Sequence, residues 1–342
     1  MNILLISPTS GGIGGIAQHV DGLSEFLTGL GHQVDVISSA NTLTIPIKRL
    51  KNPSFMISSF LKTKFKKSND IVHSHHLIGA LAMKNVSCKK ILSIHGVYSK
   101  NIAQLYGKIA SGLSKKYEKT ALNLADVITV NSNEGYNYYT EMGFNVVQIP
   151  NAIDLNIIPK KSTKQFENQM IFAGRLSKEK GVETLLETAL QLPDNYHLLI
   201  AGSGPLEEKV KDLAAKKTNV HYLGYQSKPN VLSLIHSSDL LIQPSLEEGM
   251  SSTLLEAMGC GTCILASNIE GISEIVENEK TGVLVEPNNS GELLNKILDL
   301  LPKKEKRSSM AKEGLQIVKQ YDWKEVGKLY ISTYEKLLHQ VQ

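Results

Sequence analysis

Along the chain, short apolar runs rich in β-branched residues alternate with longer stretches whose apolar positions recur at helical spacing. NILLIS (2–7) leads through a glycine loop into a helix over about 15–30, and HQVDVIS (32–38) is the next strand. DIVHSHH (70–76), KKILSIH (89–95), ADVITVN (125–131) and NVVQIP (145–150) continue the pattern. Between 151 and 169 the rhythm stops, in prolines and the polar run KKSTKQFENQ. A second series follows: MIFAG (170–174), YHLLIAG (196–202), VHYLG (220–224), DLLIQ (239–243), TCILAS (262–267) and TGVLVE (281–286). Strands alternating with helices predict right-handed βαβ units, hence an α/β chain of two doubly wound parallel halves, 1–155 and 156–324. Such halves are expected to hold a ligand cleft at the carboxyl ends of their strands. The segment from about 325 to 342 reads as a closing helix, with Trp323, Val326, Leu329, Tyr330, Tyr334, Leu337 and Leu338 at helical spacing.

Composition narrows the class. The chain has 342 residues, long for one core and sufficient for two, and 42% of them are apolar. A formal charge of +4 does not call for nucleic acid, and none is expected as a partner, although a local basic face is allowed. Three cysteines are too few for a disulfide framework and fit a reducing compartment. Ile3 to Ile6 is too short for a signal segment and no later run reaches spanning length. A cytoplasmic protein is expected, peripheral on the inner face of the membrane if it meets one.

Several loops carry candidate chemistry. TSGGIGGIAQHV (9–20) lies between strand and helix, where backbone N–H groups can meet an anion. As Gly12-x-Gly14-x-x-Ala17 it matches the relaxed dinucleotide fingerprint, but Asp35 stands near the start of the second strand, not at its end. A tight turn needed only for packing is the plain alternative. In FAGRLSKEKGVETLL (172–186), Arg175 and Lys180 share a strand–helix loop and can face one phosphate-bearing ligand, as a planar fork and a mobile point charge. Gly202 and Gly204 in LLIAGSGPLEEKV let the backbone approach its neighbour. No D-x-D occurs, so a nucleoside diphosphate would lack its usual acidic metal clamp and no metal is expected. Arg175, Lys180 and a helix N-terminus would have to stabilise a departing diphosphate.

PSLEEGMSSTLLEAMGCGTC (244–263) holds Glu247, Glu248 and Glu256. On one helix Glu248 and Glu256 would stand about 12 Å apart along the axis. Glycosidase pairs need about 5–5.5 Å when retaining and about 6.5–9.5 Å when inverting. A hydrolytic pair is therefore disfavoured, and two acceptors gripping separate parts of one long ligand fit better. Ser251 or Ser252 is the expected cap of the helix in TLLEAM, whose first-turn N–H groups would bind phosphate. The alternative makes Glu248 a helper of that N-terminus and Glu256 a helix-surface residue; Glu247 is expected at the surface. Cys260 and Cys263 have redox spacing but follow a helix instead of opening one, so buried packing cysteines are expected.

Taken in order, GGIAQHV (14–20), SIHG (93–96), IPNAID (149–154), FAGRLSKEKG (172–181), LLIAGSGP (198–205), YLGY (222–225), PSLEEGMSSTLLEAMGCGT (244–262) and YDW (321–323) resemble the retaining nucleotide-sugar glycosyltransferases of family 4, which have the GT-B fold. The resemblance implies two Rossmann-like domains facing each other across a cleft, with the last helix crossing back onto the first. It implies transfer of a hexose or N-acetylhexosamine from a nucleotide-diphosphate sugar, a co-substrate and not a bound cofactor, to a glycan or lipid-linked acceptor. By residue, Arg175 and Lys180 would bind the donor diphosphate, Glu256 the ribose and Glu248 hydroxyls of the moving sugar. Gly15, Gly249, Met250, Ser251, Ser252 and Thr253 would approach sugar and phosphate, and Leu223, Gly224 and Tyr225 the base. His95 would stand at the reacting centre, and Gly14, Gln18, His19 and His75 on the acceptor side. Family members retain configuration without an agreed protein nucleophile, so Glu248 and His95 are assigned to positioning and charge stabilisation. Ala152, Cys263 and the Met250–Ser251 pair depart from the commoner family pattern at backbone-governed positions. An epimerase of the same fold and a non-catalytic sugar-nucleotide-binding subunit are the other readings; intact Arg175, Lys180, Glu248 and Glu256 count against the subunit.

KRLKNPSFMISSFLKTKFKKSND (48–70) interleaves seven Lys and Arg with Phe55, Met56, Ile57, Phe60, Leu61 and Phe65. Such a stretch suits an anionic membrane surface through 48–67, or a domain helix whose lysine stems cover apolar surface. On a strand His73 and His75 share a face while His76 points away, and no neighbouring cysteine or carboxylate completes a tetrahedral metal set. A role at the edge of the cleft is expected for them.

Overall fold

The computed structural model describes residues 1–11, 14–47, 50–66, 69–96 and 115–339; Gly12, Lys48, Arg49 and Lys67 lie outside them. The chain divides into two compact units, Met1–Ala152 with Trp323–Gln342, and Ile153–Asp322. In the first unit β1 (Asn2–Ser7), β2 (Gln33–Ser38), β3 (Ile71–Ser74), β4 (Lys89–Ile94), β5 (Val127–Val130) and β6 (Val146–Gln148) form one sheet in the order β2-β1-β3-β4-β5-β6. In the second, β7 (Asn168–Ala173), β8 (Tyr196–Ala201), β9 (Val220–Gly224), β10 (Leu240–Gln243), β11 (Cys263–Ser267) and β12 (Val283–Val285) run in the order β12-β11-β10-β7-β8-β9. Every pairing is parallel.

The strands read as continuous apolar runs because both faces of each sheet are covered. Ile3 and Leu5 point into one cluster with Val20, Leu23 and Leu27, while Leu4 and Ile6 point into another with Phe55, Val72 and Leu92. The second unit repeats this: Met170, Phe172, Leu198 and Ile200 share one core, and Ile171, Leu199 and Leu241 the other. The C-terminal helix, Trp323–His339, belongs to the first unit and packs on α1 (Gly15–Gly29). A Cβ on Gly22 would stand 2.5 Å from the Trp323 ring, and one on Gly327 2.2 Å from the Phe26 ring. Each glycine thus leaves space for an aromatic ring of the other helix. Val326, Tyr330, Tyr334 and Leu337 are buried there, each contributing about 1.5–3 kcal/mol by area.

The two ends of the second unit lie side by side. Ile153 pairs in parallel with Asp322, Ile153 N donates to the Tyr321 carbonyl (2.9 Å), and Leu155 N donates to Asp322 Oδ2 (3.2 Å).

Strand order reverses between β1 and β3 in the first sheet and between β7 and β10 in the second. Such a reversal sends successive crossovers to opposite faces and opens a crevice at the carboxyl ends of the two strands involved. In the second unit that crevice has tight backbone walls. Gly181 has φ 65°, and a Cβ there would stand 1.7 Å from the Pro244 carbonyl oxygen, so the loop after β7 lies directly on the loop after β10. Gly202 has φ 148°, with the Gly174 carbonyl oxygen 1.8 Å from the same construction. Gly202→Ala is expected to cost about 2–5 kcal/mol, because backbone and not a yielding side chain stands in the way. Gly31 shares a positive φ of 83° but has open space, so Gly31→Ala should cost only about 1–2 kcal/mol. Urea midpoints of the two variants, at unchanged slope, measure the difference.

Candidate functional site

The crevice of the second unit gathers the residues that the sequence singled out. Arg175 and Lys180 follow β7, and Glu248 follows β10. Glu248 is nearly buried, and its Oε1 accepts from Lys180 Nζ (2.6 Å), Gln243 Nε2 (2.8 Å) and Ser245 Oγ (2.9 Å). All three bonds converge on one oxygen. Gln243, the last residue of β10, also exchanges hydrogen bonds with Ser251 Oγ (2.7 and 3.1 Å). That locks the loop between Glu248 and the helix Ser252–Cys260. Gly271 seals the loop from behind: a Cβ there would stand 2.1 Å from the Gly249 carbonyl oxygen.

Ser251 occupies the N-cap position, but its side chain makes no capping bond because Gln243 holds it. The first-turn N–H groups of that helix, around Ser252 and Thr253, thus lack the side-chain acceptor that the sequence predicts. Met250 is buried in the core below. Glu256 corrects one alternative: it is not on the helix surface but buried, where it pairs with Lys228. Burial raises its pKa, and the Lys228 charge opposes that rise. Arg175 is two-thirds exposed, 3.6 Å from Glu179, which also accepts from Ser177 Oγ (2.6 Å). So open an ion pair adds little stability and leaves the guanidinium accessible. At the end of β9, Gly224 takes φ 66° and gives its carbonyl to Gly202 N (2.8 Å), Leu223 packs on the core, and the Tyr225 side chain is exposed. The two cysteines are buried, and burial pushes Cys260 up to about 12 and Cys263 to about 11, so neither is a thiolate near neutral pH.

The first unit places a second cluster at its own reversal. Gly14, at φ 118°, caps α1, which Gly15 opens; Gln18 lies in its first turn and His19 is buried. His75 follows β3 and His95 follows β4. His19 lies 5.3 Å from His95 and 5.8 Å from His75 between ring centroids, and His73 lies 3.9 Å from His75. Tyrosines of the C-terminal helix hold two of these rings: Tyr330 Oη meets His19 Nε2 (2.8 Å) and Tyr334 Oη meets His73 Nδ1 (2.8 Å). His73 Nε2 meets Ser93 Oγ (2.6 Å). Both nitrogens of buried His75, and Nε2 of His95, find no hydrogen-bond partner among the described residues. Burial lowers every one of these pKa values, His73 to about 3 and His95 to about 4, and neighbouring imidazoles add to the effect. The rings are therefore neutral near pH 7 and able to offer both a donor and an acceptor.

Sequence reasoning missed Gln243, Ser245 and Lys228 in the second unit, and Tyr330 and Tyr334 in the first. Gln243 closes an apolar strand just before the motif and Ser245 is its second residue, so both could have been found as polar residues beside Glu248. Lys228 and the tyrosines carry no local signal.

Two six-stranded parallel sheets with covered faces, each with its polar cluster at a strand-order reversal, are the two Rossmann-like units of the GT-B fold class. Residues 13–157 match the family described as Glycosyltransferase Family 4, and residues 154–316 match Glycosyl transferases group 1. An uncharacterized glycosyltransferase of Methanocaldococcus jannaschii is 26% identical over 98% of this chain and 99% of its own. A Campylobacter jejuni N,N'-diacetylbacillosaminyl-diphospho-undecaprenol alpha-1,3-N-acetylgalactosaminyltransferase is 29% identical over 50% of this chain and 46% of its own. The Anabaena protein HepE, solved with UDP and glucose, superposes with a TM-score of 0.75 at 19% identity, covering 97% of this chain and 99% of that one. The chain belongs to glycosyltransferase family 4 and has the GT-B fold.

Lys228→Met removes the cation that buried Glu256 meets, and a loss of about 3 kcal/mol is expected, partly restored by adding Glu256→Gln; urea unfolding of both variants checks it. A second expectation concerns acid. The unfolded-state pKa of a histidine is near 6.5 and the folded values lie below it. Stability is therefore complete above pH 6.5 and falls as pH drops, by up to about 1.4 kcal/mol per pH unit for each histidine. The loss from His95 levels off near pH 4 and that from His73 near pH 3. Trp323, the single tryptophan, lies in the first unit, so its fluorescence during urea unfolding at each pH reports on the unit concerned.

Proposed function

We propose that this glycosyltransferase moves a hexose or N-acetylhexosamine from a nucleoside-diphosphate donor to an acceptor hydroxyl with retention at the anomeric carbon. The observation that carries the reading is the crevice of the second unit. A nearly buried Glu248 is fixed through Oε1 by Lys180, Gln243 and Ser245, beside a helix whose N-cap side chain is engaged elsewhere. In this reading Arg175, Lys180 and that helix N-terminus take the diphosphate and stabilise it as it leaves, without a metal ion. Glu256 takes the ribose, Leu223, Gly224 and Tyr225 the base, and Glu248 hydroxyls of the moving sugar, with Gly15, Gly249 and Met250 offering backbone. His95, neutral, stabilises the reacting centre through its unpartnered Nε2. Gly14, Gln18, His19 and His75 serve the acceptor, His75 having two buried nitrogens to offer. That HepE was solved with UDP and glucose supports a nucleotide donor, and the undecaprenol diphosphate in the Campylobacter relative's name supports a lipid-linked acceptor. Cell-surface polysaccharide, glycolipid or protein-glycan synthesis at the inner face of the membrane is the setting proposed.

Nucleotide sugars of UDP, GDP and ADP are to be screened first by thermal shift, since a donor that binds the native state raises its apparent stability. With the donor so found, Glu248→Ala and Lys180→Ala should each lower transfer by about a hundredfold or more while the protein stays folded. EDTA should leave the wild-type rate unchanged, and the anomeric coupling in the product should match that of the donor. Near-wild-type turnover in both variants, or an inverted product, overturns the reading.

A further inference from the structure

Asn131 is the polar side chain that the fold sets beside His95. Strands β4 and β5 pair in parallel with Ile94 opposite Val130, and His95 and Asn131 are the residues that follow. They stand next to each other at the carboxyl edge of the sheet. The chain on either side pins Asn131 there. Val130 gives its carbonyl to Ile149 N (2.8 Å), and Ser132 caps the helix Asn133–Glu141 by accepting from Gly135 N (3.3 Å). Asn131 itself is 5% exposed.

The Asn131 amide nitrogen has two acceptors in reach, Asn151 Oδ1 at 3.2 Å and His95 Nδ1 at 3.5 Å. Turned over, the amide would set its oxygen against that of Asn151, acceptor against acceptor. With the nitrogen on this side, its hydrogens face Asn151 and the ring. Of the two forms of a neutral imidazole, only the one with its lone pair at Nδ1 can receive such a hydrogen. A proton on Nδ1 would stand against it. The ring is neutral: burial lowers its pKa to about 4, His76 adds to the effect, and the contact with Asn151 opposes it without reversing it. Two atoms of the pair are left over. Asn131 Oδ1 and His95 Nε2 are both buried with no hydrogen-bond partner among the described residues.

We propose that Asn131 is a positioning residue for the transfer reaction, fixing the tautomer of His95 so that the ring proton sits on Nε2. His95 is then a hydrogen-bond donor toward a substrate oxygen and cannot take up a proton at Nε2. Asn131 Oδ1 stays as an acceptor. A buried donor and a buried acceptor without partners cost stability, and substrate hydroxyls, which both give and accept, can satisfy them. What the donor does for turnover rests on the transferase reading; where the proton sits does not.

The test is a long-range proton–nitrogen correlation spectrum of the full chain, its histidines labelled with nitrogen-15, near pH 7. The chain has ten histidines, and His95→Gln identifies the ring in question. The wild type is expected to show His95 with Nε2 protonated and Nδ1 bare. Asn131→Asp sets a carboxylate of matching size beside Nδ1, and Nδ1 should become protonated. Asn131→Leu supplies neither donor nor acceptor, and the single tautomer should be lost. A side chain that served packing alone would leave the tautomer unmoved by Asp. A proton on Nδ1 in the wild type, which would give the ring to Asn151, overturns the proposal. So does a bare Nδ1 in Asn131→Asp. If a variant does not fold, the wild-type spectrum decides by itself. Turnover is not read, so failure here is distinct from failure of the transferase reading.

Discussion

A parallel sheet whose strand order reverses cannot cover the carboxyl ends of the two strands at the reversal, because the crossovers leaving them go to opposite faces. In the second unit those strands are β7 and β10, and the polar groups around Glu248 hang from their ends. The loop after β7 brings Arg175 and Lys180; the loop after β10 brings Ser245, Glu248 and the N-terminus of the next helix. What turns a generic crevice into a fixed arrangement is backbone contact. Gly181 lies against the Pro244 carbonyl and Gly271 against that of Gly249, at separations that admit no side chain. Glycine is used here for close approach, and the positive φ of Gly181 comes with it.

The two units handle buried polar groups differently. In the second, buried carboxylates meet cations, Lys180 for Glu248 and Lys228 for Glu256, which offsets part of the cost of burial. In the first, a group of imidazoles is buried and meets no carboxylate among the described residues; burial and mutual repulsion keep the rings neutral. The tyrosines of the C-terminal helix supply hydrogen bonds to His19 and His73 without supplying charge. This couples the end of the chain to residues near its beginning, and the coupling is tight because Gly22 and Gly327 let α1 and the last helix approach closely. The same helix thus provides core area and fixes ring orientation.

Local rules and tertiary packing compete visibly at two places. Ser251 stands where a cap is wanted, but Gln243 at the end of β10 takes its hydroxyl as both donor and acceptor. Alternation of basic and apolar residues in 48–70 does not say which apolar side chains face the core. Packing buries Phe55 and leaves Ile57, Leu61 and Phe65 outside, and the bonds that tie Leu43 and Ile45 to Ser58 and Ser54 depend on the chain doubling back, which no local pattern shows.

The sequence by itself determined the strand runs, the α/β rhythm and the loops that carry Arg175, Lys180, Glu248, His75 and His95. These are local properties, since apolar periodicity and glycine punctuation act over a few residues. Which strands neighbour each other, and so which loops share a crevice, came only from the tertiary structure. So did the pairing of Glu256 with Lys228, the burial that rules it off the surface, and the contacts of Tyr330 and Tyr334 with His19 and His73. Those partners are brought together by crossovers and by the return of the last helix, and the spacing of residues along the chain holds no record of either.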